Sequence, residues 1–211
     1  MNRRGILLII SGFAGSGKGT ICKELLRRYD NYAFSVSATT REPREGEVDG
    51  VDYFFISREK FQEMIENGEF LEYANYVTNS YGTPKKYVEK MLDEGKDVIL
   101  EIECQGALSI KTIFPEAVLI FVMPPTVQEI YNRLHKRDTE QEDVIMKRME
   151  RGSEEVNVIE RYDYLLINDD ISQTVEELNG IVNSARHTPE RNEALIDEIK
   201  KEFTEFLGGK K

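Results

Sequence analysis

Gly5-Ile6-Leu7-Leu8-Ile9-Ile10-Ser11-Gly12-Phe13-Ala14-Gly15-Ser16-Gly17-Lys18-Gly19-Thr20 is an apolar run that breaks into glycines and then a lysine. Ile6 to Ile10 shows no polar alternation and is far too short to span a bilayer. It reads as a strand covered on both faces, the kind found in a parallel α/β sheet. Gly12, Gly15 and Gly17 let the chain turn tightly and aim successive N–H groups at one spot, where the helix expected from about Lys18 adds its positive dipole end. That spot suits an anion. Gly12-x-x-x-x-Gly17-Lys18 matches the P-loop spacing, in which main-chain amides cradle phosphates and the lysine ammonium reaches the terminal phosphates of a nucleoside triphosphate. The bland alternative is a glycine-rich turn that binds nothing. It is disfavoured by the strand before the loop and by the helical stripe Ile21, Leu25 and Leu26 after it.

One position departs from the pattern, which asks for Ser or Thr directly after the lysine: the sequence has Gly19, then Thr20. The loop Gly-x-x-Gly-x-Gly-Lys-Gly-Thr resembles that of adenylate kinases, which implies Mg²⁺ held largely through water and substrate phosphates. The length of 211 residues allows one sizeable α/β core with small mobile inserts. A net charge of −11 argues against nucleic acid and anionic membrane surfaces as partners, so an anionic substrate must be held by local arginines. Cys22 and Cys104 form no spaced framework, and the apolar stretch after Met1-Asn2-Arg3-Arg4 is too short for a signal peptide. A soluble, cytoplasmic protein is the expectation.

Along the chain, Ala33–Ser37 alternates as a strand, Thr39–Gly50 has no period, and Val51–Ile56 is a further strand candidate. Ser57 is placed to cap a helix that runs to Asn67 and stops at Gly68. Phe70–Val77 reads as a strand, Asn79–Pro84 as a turn, Lys85–Asp93 as a helix, and Asp97–Glu103 as an apolar strand ending in acids. Glu101 and Glu103 at that carboxyl end would face a ligand crevice. A short helix Ala107–Ile113 and a strand Val118–Val122 follow. From Thr126 a charged helical pair, broken near Asp138-Thr139, sets Arg133 with Arg137 and Arg148 with Arg151 on shared faces. Behind a P-loop such cations suit a lid that closes over a transferring group. Tyr164–Asp169 is the last core strand, Val175–Ile181 a helix, and Arg191–Phe206 a helix whose apolar stripe needs a partner, either a second subunit or, as is expected first, the protein's own core.

Ser35-Val36-Ser37-Ala38-Thr39-Thr40-Arg41-Glu42-Pro43-Arg44-Glu45-Gly46-Glu47-x-x-Gly50-x-x-Tyr53-x-Phe55 closely resembles the GMP-binding segment of guanylate kinases. Phe70-Leu71-Glu72-Tyr73-Ala74, Tyr81-Gly82-Thr83, Ile99–Gly106, Arg133-Leu134-x-x-Arg137-x-Thr139-Glu140 and Ile167-Asn168-Asp169-Asp170 follow in that family's order, so the resemblance spans about residues 5 to 185. It implies an α/β fold: the three-layer P-loop NTPase fold with a parallel central sheet, a small strand-rich GMP-binding insert and a helical lid. The expected division is a kinase-like domain over 1–185 and a helical extension over 186–211. Within the domain, the core is about 1–33, 84–125 and 160–185, the insert about 34–83 and the lid about 126–159.

The resemblance also implies roles. Gly12, Phe13, Ala14, Gly15, Ser16, Gly17, Lys18, Gly19 and Thr20 would hold ATP, with Asn168 near its adenine. Arg41, Arg44, Tyr53 and Tyr81 would grip the phosphate of GMP. Ser37, Glu72, Thr83 and Glu103 would read its base. Lys18, Arg41, Arg133, Arg137 and Arg148 would surround the transferring phosphoryl, and Mg²⁺ would come with ATP, near Thr20 or Glu101. Glu101 and Glu103 stand where the family often has aspartate, and Asp138 where it usually has glycine. The implied reaction is transfer of the γ-phosphoryl of ATP to GMP by a monomer or homodimer. Also open are a kinase-like scaffold module without catalysis, an adenylate kinase, and a P-loop kinase with another acceptor.

Overall fold

The computed structural model describes residues 3–76, 78–136 and 142–208. In chain order the first half comprises β1 (Leu7–Gly12), α1 (Lys18–Arg28), β2 (Tyr32–Phe34), β3 (Ala38–Thr39), β4 (Phe54–Phe55), α2 (Arg58–Glu66), β5 (Phe70–Tyr76), β6 (Asn79–Pro84) and α3 (Lys85–Asp93). The second half comprises β7 (Asp97–Glu101), α4 (Cys104–Ile113), β8 (Val118–Met123), α5 (Val127–Lys136), α6 (Glu142–Glu155), β9 (Tyr164–Ile167), α7 (Ile171–Ala185) and α8 (Glu193–Gly208).

β1 is the middle of a five-stranded parallel sheet ordered β2-β7-β1-β8-β9. Its alternate residues face two helical layers. Leu8 and Ile10 pack with Ile21 and Leu25 of α1 and Val175 and Leu178 of α7, while Leu7 and Ile9 pack with Val88 and Leu92 of α3 and Ala107 and Ile110 of α4. Leu7 to Ile10 are 0–1% exposed, as the unbroken apolar run requires. Each such side chain contributes up to about 2 kcal/mol. The chain goes to one side of β1 to build β2 and β7 and to the other to build β8 and β9, leaving a crevice at the carboxyl end of β1.

β1 ends where the sequence demands it. Gly12 has φ 150°, and a Cβ there would stand 2.0 Å from the Val122 carbonyl oxygen of β8. Gly12→Ala is therefore expected to lower stability by about 3 kcal/mol, read as a drop in thermal midpoint of about 6–12 °C.

A second sheet, ordered β4-β3-β6-β5, stands over the crevice. Phe61 of α2 packs on Phe70 of β5 with ring centroids 4.5 Å apart, and Ala38 completes this small core. The Ser57 hydroxyl accepts from Lys60 N and starts α2 as expected. Asn79–Pro84, expected as a turn, is instead β6, paired with both β5 and β3. Two ladder partners outweigh the turn preference of Asn79 and Gly82, and Pro84 sits at the strand end, where a missing N–H costs little. Of Ala33–Ser37, expected as one strand, only Ala33 and Phe34 are strand, and Ser35 to Ser37 cross from one sheet to the other. Tyr32–Phe34 joins the large one and Ala38–Thr39 the small one.

α5 and α6 form the other cover. Phe13 of the P-loop inserts beneath them with Phe121, Ile130, Leu134 and Ile145, its ring 4.9 Å from that of Phe121. Behind the sheet, the end of α7 is fixed by Arg186 to the buried carboxylate of Asp97, and Arg191 bonds the Glu116 carbonyl. Beyond these anchors lies α8. Its stripe does not pack on the core as expected: Leu195, Ile196, Ile199, Phe203 and Phe206 are 36–63% exposed, and no residue of α8 is buried. Past the last anchor, helix propensity and not burial sets the conformation.

Candidate active site

The P-loop joins β1 to α1. Gly17 caps α1 at φ 90°, and a Cβ there would lie 2.4 Å from the Asn168 side-chain nitrogen, so the position excludes larger residues. Asn168 is 2% exposed and donates from Nδ2 to Ser16 O at 2.7 Å, which braces the loop from beneath. The Ser16 hydroxyl is buried in the loop without a hydrogen-bond partner among the described residues, and a phosphate oxygen would satisfy it. Lys18 Nζ donates to the carbonyls of Gly12 at 2.6 Å and Phe13 at 3.1 Å, holding the ammonium against the loop mouth.

Gly12, Ala14, Gly15, Gly17, Lys18 and Gly19 line a cavity of about 510 Å³ with Glu101, Glu103, Arg148, Arg151 and Glu155. Phe13 is turned into the apolar cluster beneath the lid, and Thr20 is exposed on the first turn of α1, outside this lining. The cavity mixes cations and acids. Burial pushes the Glu101 carboxyl upward against the pull of Lys18 and Lys23, and burial with nearby Glu103 does the same to Glu155. Glu101 fits Mg²⁺ by its chemistry. It is a hard oxygen donor whose Oε2 is 3.6 Å from where a Cβ of Gly19 would be, the position from which P-loops with serine or threonine present their hydroxyl.

A second cavity, of about 380 Å³, lies between the sheets and is lined by Ser37, Tyr53, Lys18, Glu101 and Glu103 among others. Arg41 and Tyr81 join it through Tyr53. The Arg41 guanidinium lies 5.4 Å from the Tyr53 ring, and the Tyr53 and Tyr81 rings are 6.0 Å apart. Glu47, assigned no role from the sequence, organises this loop. Its carboxylate takes a two-pronged bond from Arg41, at 2.8 and 2.9 Å, and another from Arg44 N at 2.6 Å. The Arg44 side chain points into solvent. Glu72 and Thr83 form a pair outside that lining, Thr83 Oγ1 donating to Glu72 Oε1 at 2.7 Å, with Gly106 of α4 close by. Burial pushes the Glu72 carboxyl up while the Thr83 hydroxyl opposes the shift.

Of the lid cations, Arg148 lines the P-loop cavity. Arg133 is occupied by Glu129 at 2.7 Å and by the Asn168 carbonyl at 3.0 Å. Arg137 lies outside the described residues. Arg151 and Glu155 also line the cavity and were not singled out as site residues. The signal for Arg151 was its position three residues after Arg148, on the same helix face.

A glycine loop and lysine at the end of a central parallel strand, with the lysine shared by a second polar cavity beneath a separate small sheet, define the class of P-loop kinases. A family model described as guanylate kinase matches residues 4–185. A guanylate kinase of Clostridioides difficile is 52% identical over 95% of this chain and 98% of its own length. One of Caldanaerobacter subterraneus is 48% identical over 96% and 98%. The crystal structure of guanylate kinase from Anaplasma phagocytophilum superposes with a TM-score of 0.68 at 33% identity, covering 90% of each chain. The chain belongs to the guanylate kinase family.

Proposed function

We propose that this chain transfers the γ-phosphoryl group of ATP to GMP, giving ADP and GDP, with ATP in the P-loop cavity and GMP in the cavity between the sheets. The observation that carries this is the shared wall: Lys18, Glu101 and Glu103 line both cavities, so a donor phosphate on one side meets an acceptor phosphate on the other. Family membership at about half identity over nearly the whole chain supports the same pair of substrates.

The acceptor is a phosphate monoester with a second ionisation near pH 6, so it is already a dianion at neutral pH and needs no general base. Positioning and charge neutralisation supply the rate. Lys18 exchanges two loop carbonyls for the terminal phosphates, Arg148 faces the same space, and Arg133 and Arg137 reach it when the lid closes. Arg41, Arg44, Tyr53 and Tyr81 hold the acceptor phosphate, and Ser37, Glu72, Thr83 and Glu103 read the guanine. Glu101 would hold Mg²⁺ with help from water near Thr20, and the ion would neutralise charge on the phosphate chain. Residues 34–83 and 126–159 act as two covers swinging on a core of 1–33, 84–125 and 160–185, which keeps water from taking the phosphoryl. The extension 186–211 stands outside this machinery. No helix among the described residues is long and apolar enough to cross a membrane, which fits the reading as a cytoplasmic enzyme.

Measurement of ADP formation from Mg-ATP with GMP, AMP, UMP and CMP tests the assignment. Activity is expected with GMP, and activity with another acceptor but none with GMP would overturn it. Arg41→Ala should raise the KM for GMP about tenfold to a hundredfold and leave that for ATP nearly unchanged, because the lost contact is a guanidinium fork on the acceptor phosphate alone. A change in ATP affinity instead would show that the two sites have been exchanged.

A further inference from the structure

Of the three side chains that separate the two cavities, Glu103 is tied to the lid. Arg151 Nη2 of α6 donates to Glu103 Oε2 at 2.7 Å, and Arg151 Nε lies 3.3 Å from Glu155 Oε1. Arg151 itself lines the P-loop cavity beside Arg148. One guanidinium thus stands in the donor cavity while bonded to an acid that also faces the acceptor cavity.

We propose that Arg151 is an acceptor-gated phosphate contact. When the acceptor purine offers its ring N–H donors to Glu103, Arg151 is released from that carboxylate and turns its fork to the phosphate chain in its own cavity. The proposal rests on the reading above of which nucleotide fills which cavity.

The exchange is physically easy. The Arg151 and Glu103 side chains are 61% and 69% exposed, and ion pairs this exposed hold weakly. A guanidinium facing phosphate oxygens in a closed, drier site is bound more strongly. Glu155, only 12% exposed, stays beside Nε at 3.3 Å, so Arg151 pivots about that nitrogen when Nη2 leaves Glu103 and is not lost to solvent. The reaction is unaltered: the bond from the γ-phosphorus to its bridging oxygen breaks and one to the acceptor phosphate oxygen forms. What changes is that the cationic shell is complete only with an acceptor in place. Transfer to water in the acceptor's absence is thereby suppressed.

ADP release with and without GMP tests this on wild type, Arg151→Gln, Arg151→Lys, Glu103→Gln and the double variant. Both positions are exposed, so thermal midpoints should match wild type. Arg151→Gln is expected to lower GMP-dependent kcat about tenfold with the KM for GMP within about twofold, and Arg151→Lys to recover part of the loss. Glu103→Gln frees Arg151 without an acceptor and should raise GMP-independent hydrolysis about threefold or more, a rise absent from the double variant. Unchanged kcat in Arg151→Gln, no rise in Glu103→Gln, or a rise that survives in the double variant would overturn the gating while leaving GMP kinase activity intact. A wild type inactive with GMP would overturn the substrate assignment as well.

Discussion

Lys18→Ala is expected to lower kcat with GMP and Mg-ATP by about 10³-fold or more, while GMP binding, measured by calorimetry without ATP, changes little. On the proposed reading the ammonium stands where negative charge accumulates as the phosphoryl moves, and among the described residues no other lysine lines either cavity. Without phosphate it is held by two main-chain carbonyls, Gly12 O and Phe13 O, so its removal exposes two acceptors that water at the open mouth can satisfy. Stability should therefore fall only slightly, and a circular-dichroism melt separates a folded, inactive variant from an unfolded one. Turnover within tenfold of wild type would remove Lys18 from the reaction.

Glu72→Gln is expected to reduce the preference for GMP over AMP, as a ratio of kcat/KM, by about 10²–10⁴-fold. Guanine presents adjacent N–H donors that a carboxylate can accept together, whereas an amide offers one acceptor and sets its own N–H against the other donor. The geometry makes Glu72 rigid enough for this task. Thr83, 1% exposed, donates its hydroxyl to one oxygen at 2.7 Å and so fixes the orientation of the carboxylate.

Its elevated pKa gives the prediction a pH signature. Burial raises the Glu72 carboxyl above the ordinary 4.5, so on acidification a proton competes with guanine earlier than at a common glutamate. GMP kcat/KM should fall more steeply with falling pH in wild type than in Glu72→Gln, which retains only the ionisation of GMP itself near pH 6. Stability has the opposite sign. Folding disfavours the charged form of Glu72, so its cost is present above the raised pKa and is relieved as pH falls. Glu72→Gln should then melt no lower than wild type at neutral pH. Unchanged discrimination in a fully folded Glu72→Gln would remove the base-reading role.

The parts of this molecule legible in the sequence are those where local chemistry and global position agree. Ser57 caps α2, Gly68 with φ 65° stops it, and Leu7 to Ile10 lie in the core because an unbroken apolar strand has no solvent side. The misreadings fall where a distant partner outweighs local preference. Asn79–Pro84 has turn-forming residues, but β3 and β5 flank it and draw it into a sheet. The stripe on α8 has the pattern of a buried helix, but periodicity states that one face is apolar and not what covers it.

The same division runs through the site. The strand, the glycine turns and the lysine were legible locally, since Gly12 and Gly17 take positive φ and Lys18 bonds carbonyls five and six residues back, although the close approach of Val122 to Gly12 and of Asn168 to Gly17 comes from the fold. Tertiary structure alone decided that Glu47 would clasp Arg41, that Asn168 would brace Ser16 across 152 positions, and that Arg151 and Glu155 would enter the phosphate cavity. The Asn168 and Arg151 contacts depend on how the sheets and the lid pack, and the Arg41–Glu47 clasp on how the loop between β3 and β4 folds back on itself. No propensity or spacing encodes a distance between residues that folding brings together from opposite ends of a chain.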